Sequence, residues 1–184
     1  MIYEIMKEIP GVFIYRNFHA ADSRGEFIKI YNGDELILQG VSSSFRESYL
    51  TVSQKNTIRG MHFQSPPYAV DKLVTILAGE ILDVIFDMRP DSTGYGKSFS
   101  INLSDSHTTT IFVPAGCAHG FLALSENATI IYNTTQPYHP ESDFGIHFNS
   151  IGFNWPVDPS TIILSERDKG FPEWEKFKNP FEKR

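Results

Sequence analysis

The chain has 184 residues, of which 41% are hydrophobic and 21% charged, and a formal net charge of -6 at pH 7. That length accommodates one domain with a substantial core, and the ordinary apolar and charged shares exclude a disordered or fibrous chain. An acidic balance with no Lys/Arg cluster argues against a nucleic-acid surface, and no run approaches the roughly 18 apolar residues of a membrane span.

Strand-like runs follow one another along the whole chain, at Val12–Tyr15, Glu26–Tyr31, Ser48–Ser53, Leu73–Ala78, Glu80–Asp87, Ser98–Leu103, Thr110–Val113, His119–Leu124 and Thr129–Thr134. Turn-forming residues separate them, as in Asp22-Ser23-Arg24-Gly25, Ala78-Gly79-Glu80 and Pro114-Ala115-Gly116. Helix is expected only at Asn32–Leu38 and near Glu173–Phe177. About nine short strands at this spacing predict an antiparallel sandwich or a jelly-roll barrel. With no repeat, low-complexity tract or linker, residues 1–184 are expected to form a single domain.

Alternation within Ile81–Asp87 puts Leu82, Val84 and Phe86 on one apolar face, while Asp83 and Asp87 point the other way, to solvent or into a polar pocket. The single cysteine, Cys117, excludes an internal disulfide and fits a reducing compartment. Its neighbour two positions on, His119, would share its strand face, so a Cys/His nucleophile is geometrically open; a small buried thiol is the plainer reading. The start, Met1-Ile2-Tyr3-Glu4, has no basic segment followed by an apolar run, and a soluble cytoplasmic protein is expected.

The densest group of chemically capable residues is Gln54–Gln64, followed by Lys72. Within it His62 has the side chain whose ordinary pKa suits cycling as a base near neutrality. If residues 59–63 run as a regular strand, Arg59 and His62 face opposite sides, but Gly60 between them is a site for a bulge or close backbone approach. A metal centre needs three or four protein ligands; here Gln64 stands two after His62 and no acidic ligand follows before Lys72, so His62 and His119 fall short.

These segments together resemble the dTDP-4-dehydrorhamnose 3,5-epimerase family, a metal-free branch of the cupin jelly rolls. The resemblance is carried in order by Asp22-Ser23-Arg24-Gly25-Glu26-Phe27, Ile58–Gln64, Lys72-Leu73-Val74, Asp83-Val84 with Asp87-Met88-Arg89, Pro114–Phe121, Ile131-Tyr132, Trp155-Pro156 and Leu164–Asp168. It implies a cupin-type antiparallel jelly-roll barrel with short peripheral helices. It also implies an epimerase that inverts C3, C5 or both of a nucleotide-linked 4-keto-6-deoxyhexose, with no cofactor. His62 would be the base, Asp168 its partner, Lys72 the group at the keto oxygen and Tyr132 the acid on the opposite face. Arg24 and Arg59 would clamp the diphosphate, and Gln64, His119 and Asp83 would belong to the substrate pocket. Phe27 and Tyr138 would stack on the base, and a homodimer is expected.

The chain departs from the family pattern twice. Arg46–Ser53 replaces a polar run of the Gln-Asp-Asn-x-Ser type, which bears on whether one centre or both are inverted. Lys29 stands where a glutamate is usual; its ammonium suits an acceptor such as cytosine N3 better than the N3–H of thymine. Two rival readings stay open at this point: a sugar-nucleotide-binding module that does not turn over, and a metal-dependent cupin isomerase.

Overall fold

The computed structural model describes residues 3–38, 40–41, 44–107 and 109–182. Thirteen strands and two short α-helices appear among them. In chain order these are β1 (Tyr3–Ile5), β2 (Phe13–Arg16), β3 (Phe18–Asp22), β4 (Gly25–Lys29), α1 (Gly33–Leu38), β5 (Glu47–Ser53), β6 (Ile58–Gln64) and β7 (Lys72–Ala78). There follow β8 (Glu80–Asp87), β9 (Ser98–Ser104), β10 (Thr109–Val113), β11 (Cys117–Ala123), β12 (Ala128–Thr134), β13 (Asp143–Gly145) and α2 (Glu166–Lys169).

Two antiparallel sheets, ordered β1-β2-β10-β7-β12-β5 and β13-β6-β11-β8-β9, carry the fold. Strands β5 to β8 alternate between the sheets, the jelly-roll arrangement expected from the sequence. The sheets face each other but do not close into a continuous barrel. Val74, Ile76 and Ile130 of one sheet meet Ile81, Ile85 and Phe121 of the other in the core between them. Each such side chain contributes ~1.5–3 kcal/mol on burial.

The alternation in β8 is resolved by this layering. Leu82, Val84 and Phe86 face away from the six-stranded sheet and are covered by the C-terminal segment through Trp174, Phe177 and Phe181. Asp83 and Asp87 are fully buried, paired with His119 and Arg89, so they do not face solvent. On the outer side of the six-stranded sheet, Leu36 of α1 packs with Phe13, Tyr15, Leu73 and Phe112. Beyond the expected strands the structure has β6, which bears His62, as well as β1, β3 and β13. The residues around Trp174 form a single 3-10 turn, and the C-terminal α-helix lies earlier, at Glu166–Lys169.

Candidate active site

A cavity of about 330 Å³ opens between the sheets, and Arg59, His62, Gln64, Lys72, His119, Tyr132 and Tyr138 are among its walls. Its two sides come from different sheets: β6 and β11 supply His62 and His119, while β7 and β12 supply Lys72 and Tyr132.

Arg59 and His62 both reach this cavity because β6 is irregular. His119 pairs with His62 but Phe121 pairs with Arg59, a register shift across Gly60. Gly60 has φ +134°, and a Cβ there would lie 2.5 Å from Gly120 Cα; glycine alone allows the two backbones to approach so closely.

His62 Nε2 donates to Asp168 Oδ1 at 2.9 Å, and Gly60 N–H donates to Asp168 Oδ2 at 3.2 Å. Asp168 is held in place by α2, whose N-cap Ser165 accepts from the Asp168 amide at 3.0 Å. Burial works to raise the Asp168 carboxyl, but the hydrogen bond and charge of His62 and the Gly60 amide hold it below the usual carboxylate range. With the carboxylate taking the Nε2 proton, neutral His62 carries its lone pair on Nδ1. Burial lowers the imidazole pKa, Asp168 opposes this, and Lys72 and Arg167 reinforce it; the net shift is downward. His62 is therefore neutral and able to accept a proton near pH 7. Phe171 packs edge-on against the ring, centroids 5.6 Å apart. A Cβ at Gly145, the cross-strand neighbour of His62, would sit 2.3 Å from that phenyl group.

Lys72 is buried at the start of β7 and donates from Nζ to His62 O at 3.1 Å. Two of its three protons remain for a ligand. Burial pushes its pKa down to about 8, against the pull of Asp143 and Asp83. Tyr132 is buried on β12, and burial with neighbouring Tyr49 and Asp83 drives its hydroxyl well above the ordinary value, so it is a neutral donor. Tyr49, its cross-strand partner on β5, stacks on it at 4.8 Å and 14°.

His119 Nε2 donates to Asp83 Oδ2 at 2.7 Å, joining two residues that the resemblance assigned to the substrate pocket. Arg59 lines the cavity while Nε donates to Ser53 Oγ at 3.0 Å. Gln64 also lines it, but both its amide protons go to backbone carbonyls, of Tyr68 and Pro137, and its oxygen accepts from His139 N.

Arg24, Phe27 and Lys29 are not brought to this cavity. They lie on the β3–β4 hairpin, a separate two-stranded ribbon with every residue exposed except the half-buried Ile28. There Arg24 is paired with Asp22, and Lys29 Nζ lies 6.0 Å from the centre of the Phe18 ring. Cys117 is buried in the core, where burial pushes its thiol far above the ordinary value; a nucleophilic thiolate has no place there. Among the described residues no group of three or more His, Cys, Asp or Glu side chains could hold a metal ion.

Sequence reasoning passed over Glu47, Tyr49, Asp143 and Arg167 in the cavity wall, and Phe171 against His62. The first two lie in the Arg46–Ser53 run, whose departure from the family pattern was noted without giving either residue a role. Asp143 and Arg167 form an ion pair at 2.6 Å, a tertiary contact with no sequence signature.

A family model described as dTDP-4-dehydrorhamnose 3,5-epimerase matches residues 6–176. The enzyme of that name from Escherichia coli (strain K12) is 42% identical over 169 residues, 90% of each chain. The crystal structure of the dTDP-4-dehydrorhamnose 3,5-epimerase from Elizabethkingia anophelis superposes with a TM-score of 0.88 at 31% identity, covering 95% of this chain and 97% of that one. A Legionella pneumophila dTDP-6-deoxy-D-glucose-3,5-epimerase, solved in complex with dTDP-4-keto-L-rhamnose, has a TM-score of 0.89 at 31% identity over 96% of this chain and 95% of its own.

Proposed function

The chain belongs to the dTDP-4-dehydrorhamnose 3,5-epimerase family, and from that premise we propose that it inverts C3, C5 or both of a nucleotide-linked 4-keto-6-deoxyhexose during deoxysugar biosynthesis. The observation that carries this reading is the opposition of two proton carriers, His62 on one sheet and Tyr132 on the other, across one cavity. Inversion at carbon needs a base on one face and an acid on the other.

In this reading His62 Nδ1 removes the proton from the carbon beside the keto group. Asp168 stabilises the imidazolium that results, and the Lys72 ammonium meets the charge developing on the keto oxygen. Tyr132 then returns a proton from the opposite face, leaving a phenolate that is reprotonated before the next turnover. His119, held by Asp83, contributes a further polar group to the sugar pocket. Arg59 is placed to bind phosphate oxygens, and Tyr138 to stack on the base.

A single copy leaves Arg24, Phe27 and Lys29 outside the cavity, so a substrate-binding role for them requires a second copy. We take the protein to be a homodimer in which the exposed hairpin of one copy serves the other. Residues 1–184 act as one domain, and the cytoplasm is its compartment; no helix among the described residues is long and apolar enough to cross a membrane.

The direct test is incubation with dTDP- and CDP-linked 4-keto-6-deoxyglucose in deuterated water, following deuterium at C3 and C5 by NMR. Enzyme-dependent exchange that disappears in His62→Ala supports the reading, and the labelled carbon identifies the centre. Absence of exchange with both substrates would sink it. Lys29 favours the cytosine arm; clearly tighter binding of dTDP than CDP would remove that preference.

A further inference from the structure

Residues 137–139 span the two sheets at the cavity, and their backbone is pinned from both. Gln64 Nε2 donates to Pro137 O at 3.2 Å, and His139 N donates to Gln64 Oε1 at 2.7 Å. Between these two contacts, Tyr138 N donates to the Glu47 carboxylate. Gln64 ends β6 in the five-stranded sheet, and Glu47 begins β5 at the edge of the six-stranded sheet. The second amide proton of Gln64 goes to Tyr68 O at 3.1 Å, fixing the adjoining turn to the same point.

Three consecutive residues are thus held at three backbone atoms by two side chains, one from each sheet. Tyr138 is left 60% exposed while still lining the cavity. An aromatic face kept in water is a poor use of apolar area unless a ligand covers it. Fixing its backbone in advance removes much of the ordering cost at the moment of binding. Gln64 faces the cavity, but its two donors are spent on the protein, so it has no proton to offer a sugar hydroxyl or phosphate.

We propose that Gln64 and Glu47 are positioning residues that together hold Tyr138 as a rigid stacking platform for the nucleobase, and that neither acts on the reacting sugar. The inference rests on the nucleotide-sugar reading above. It replaces the substrate contact expected of Gln64 with an indirect role, and it gives Glu47 a role that the sequence did not suggest. It also explains how two sheets that do not close into a barrel present a fixed rim to the ligand: the 137–139 segment ties them together there.

The test is a double-mutant cycle against Tyr138→Ala, read as KM and kcat with dTDP-4-keto-6-deoxyglucose and as Kd for dTDP. Gln64→Met and Glu47→Ala are each expected to raise KM and Kd about tenfold and to change kcat by less than about twofold. In the Tyr138→Ala background the same substitutions are expected to add less than about twofold, because the platform is already gone. Glu47→Gln, which keeps an acceptor oxygen for the Tyr138 amide, is expected to restore near wild-type KM. Glu47 is at a sheet edge, so its variants keep the experiment decisive if Gln64→Met fails to fold. Penalties that multiply in the Tyr138→Ala background, or a fall in kcat at unchanged KM, would mean direct contact with substrate and overturn the proposal. A wild-type protein that binds dTDP without turnover would overturn the epimerase reading alone, since the Kd arm still reads the clamp. A wild type that binds neither dTDP nor CDP would overturn the platform itself.

Discussion

His62 and His119 stand directly opposite each other on adjacent strands β6 and β11, and each imidazole is bonded through Nε2 to its own buried aspartate, Asp168 and Asp83. The two pairs are alike in chemistry but not in surroundings. Asp168 also binds the Gly60 amide, whereas Asp83 Oδ1 is buried with no hydrogen-bond partner among the described residues.

Asp168→Asn keeps the shape but removes the charge and can place an amide proton where His62 needs an acceptor, disfavouring the Nδ1 lone pair. We expect kcat to fall by about 10²–10⁴ with little change in KM. Steady-state kinetics, with circular dichroism to verify folding, would check this; retention of more than about a tenth of kcat would exclude the tautomer argument.

The pH profile follows from burial. His62 has its pKa lowered below 6.5, so the acid limb of kcat/KM is expected below that value. Lys72, pushed down to about 8, sets an alkaline limb there if its ammonium meets the keto oxygen. For stability the signs agree. Both groups release their protons more readily when folded, so the unfolded chain binds more protons between the folded and unfolded values. Their contribution therefore rises with pH through each window, for Lys72 from about 8 towards 10.5. A rate profile flat to pH 10 would remove Lys72 from the role given to it.

Tyr132→Phe separates the two half-reactions. The base is untouched, so exchange of the α-proton with deuterated solvent is expected to continue, while inverted product falls by about 10²-fold or more. NMR distinguishes exchange with retention from exchange with inversion. Unimpaired inversion would assign the returning proton to another group.

Gly60→Ala forces a Cβ to within 2.5 Å of Gly120 Cα at φ +134°. A loss of about 2–3 kcal/mol is expected, seen as a Tm lower by roughly 5–10 °C. Activity should fall with it, because the Gly60 amide helps to orient Asp168. An unchanged Tm would show that β6 and β11 can separate at no cost.

The hairpin gives a test of assembly. A His62→Ala protein lacks the base, and an Arg24→Ala/Phe27→Ala protein lacks the exposed arm. If arms cross between copies, mixing and re-forming the two in equal amounts yields one intact site per mixed dimer and recovers about a quarter of wild-type activity. No recovery above the sum of the separate proteins would place the hairpin in its own copy's service or in none.

Much of this was legible in the sequence because period-two alternation and turn residues record local geometry. The strand at Glu80–Asp87 and its two faces follow from that alternation, whereas the His119–Asp83 pairing was implied by the resemblance. The strand carrying His62 was harder, since the register shift at Gly60 breaks the parity on which such reading depends. Asp168 was assigned by resemblance alone. Its helix is four residues long and packs by tertiary contact with β6, leaving no periodic signal. Glu47 and Arg167 were missed for the same reason: their partners, Tyr138 and Asp143, are 91 and 24 residues away in the chain.

The proposed acid and base of this site ride on different sheets, and those sheets are held apart by aliphatic side chains such as Ile76, Ile85 and Ile130. The thickness of that oily layer therefore sets how far apart the two groups stand on either side of the sugar. Trimming a methylene from it would leave every polar group of the site chemically intact, yet change the distance between them.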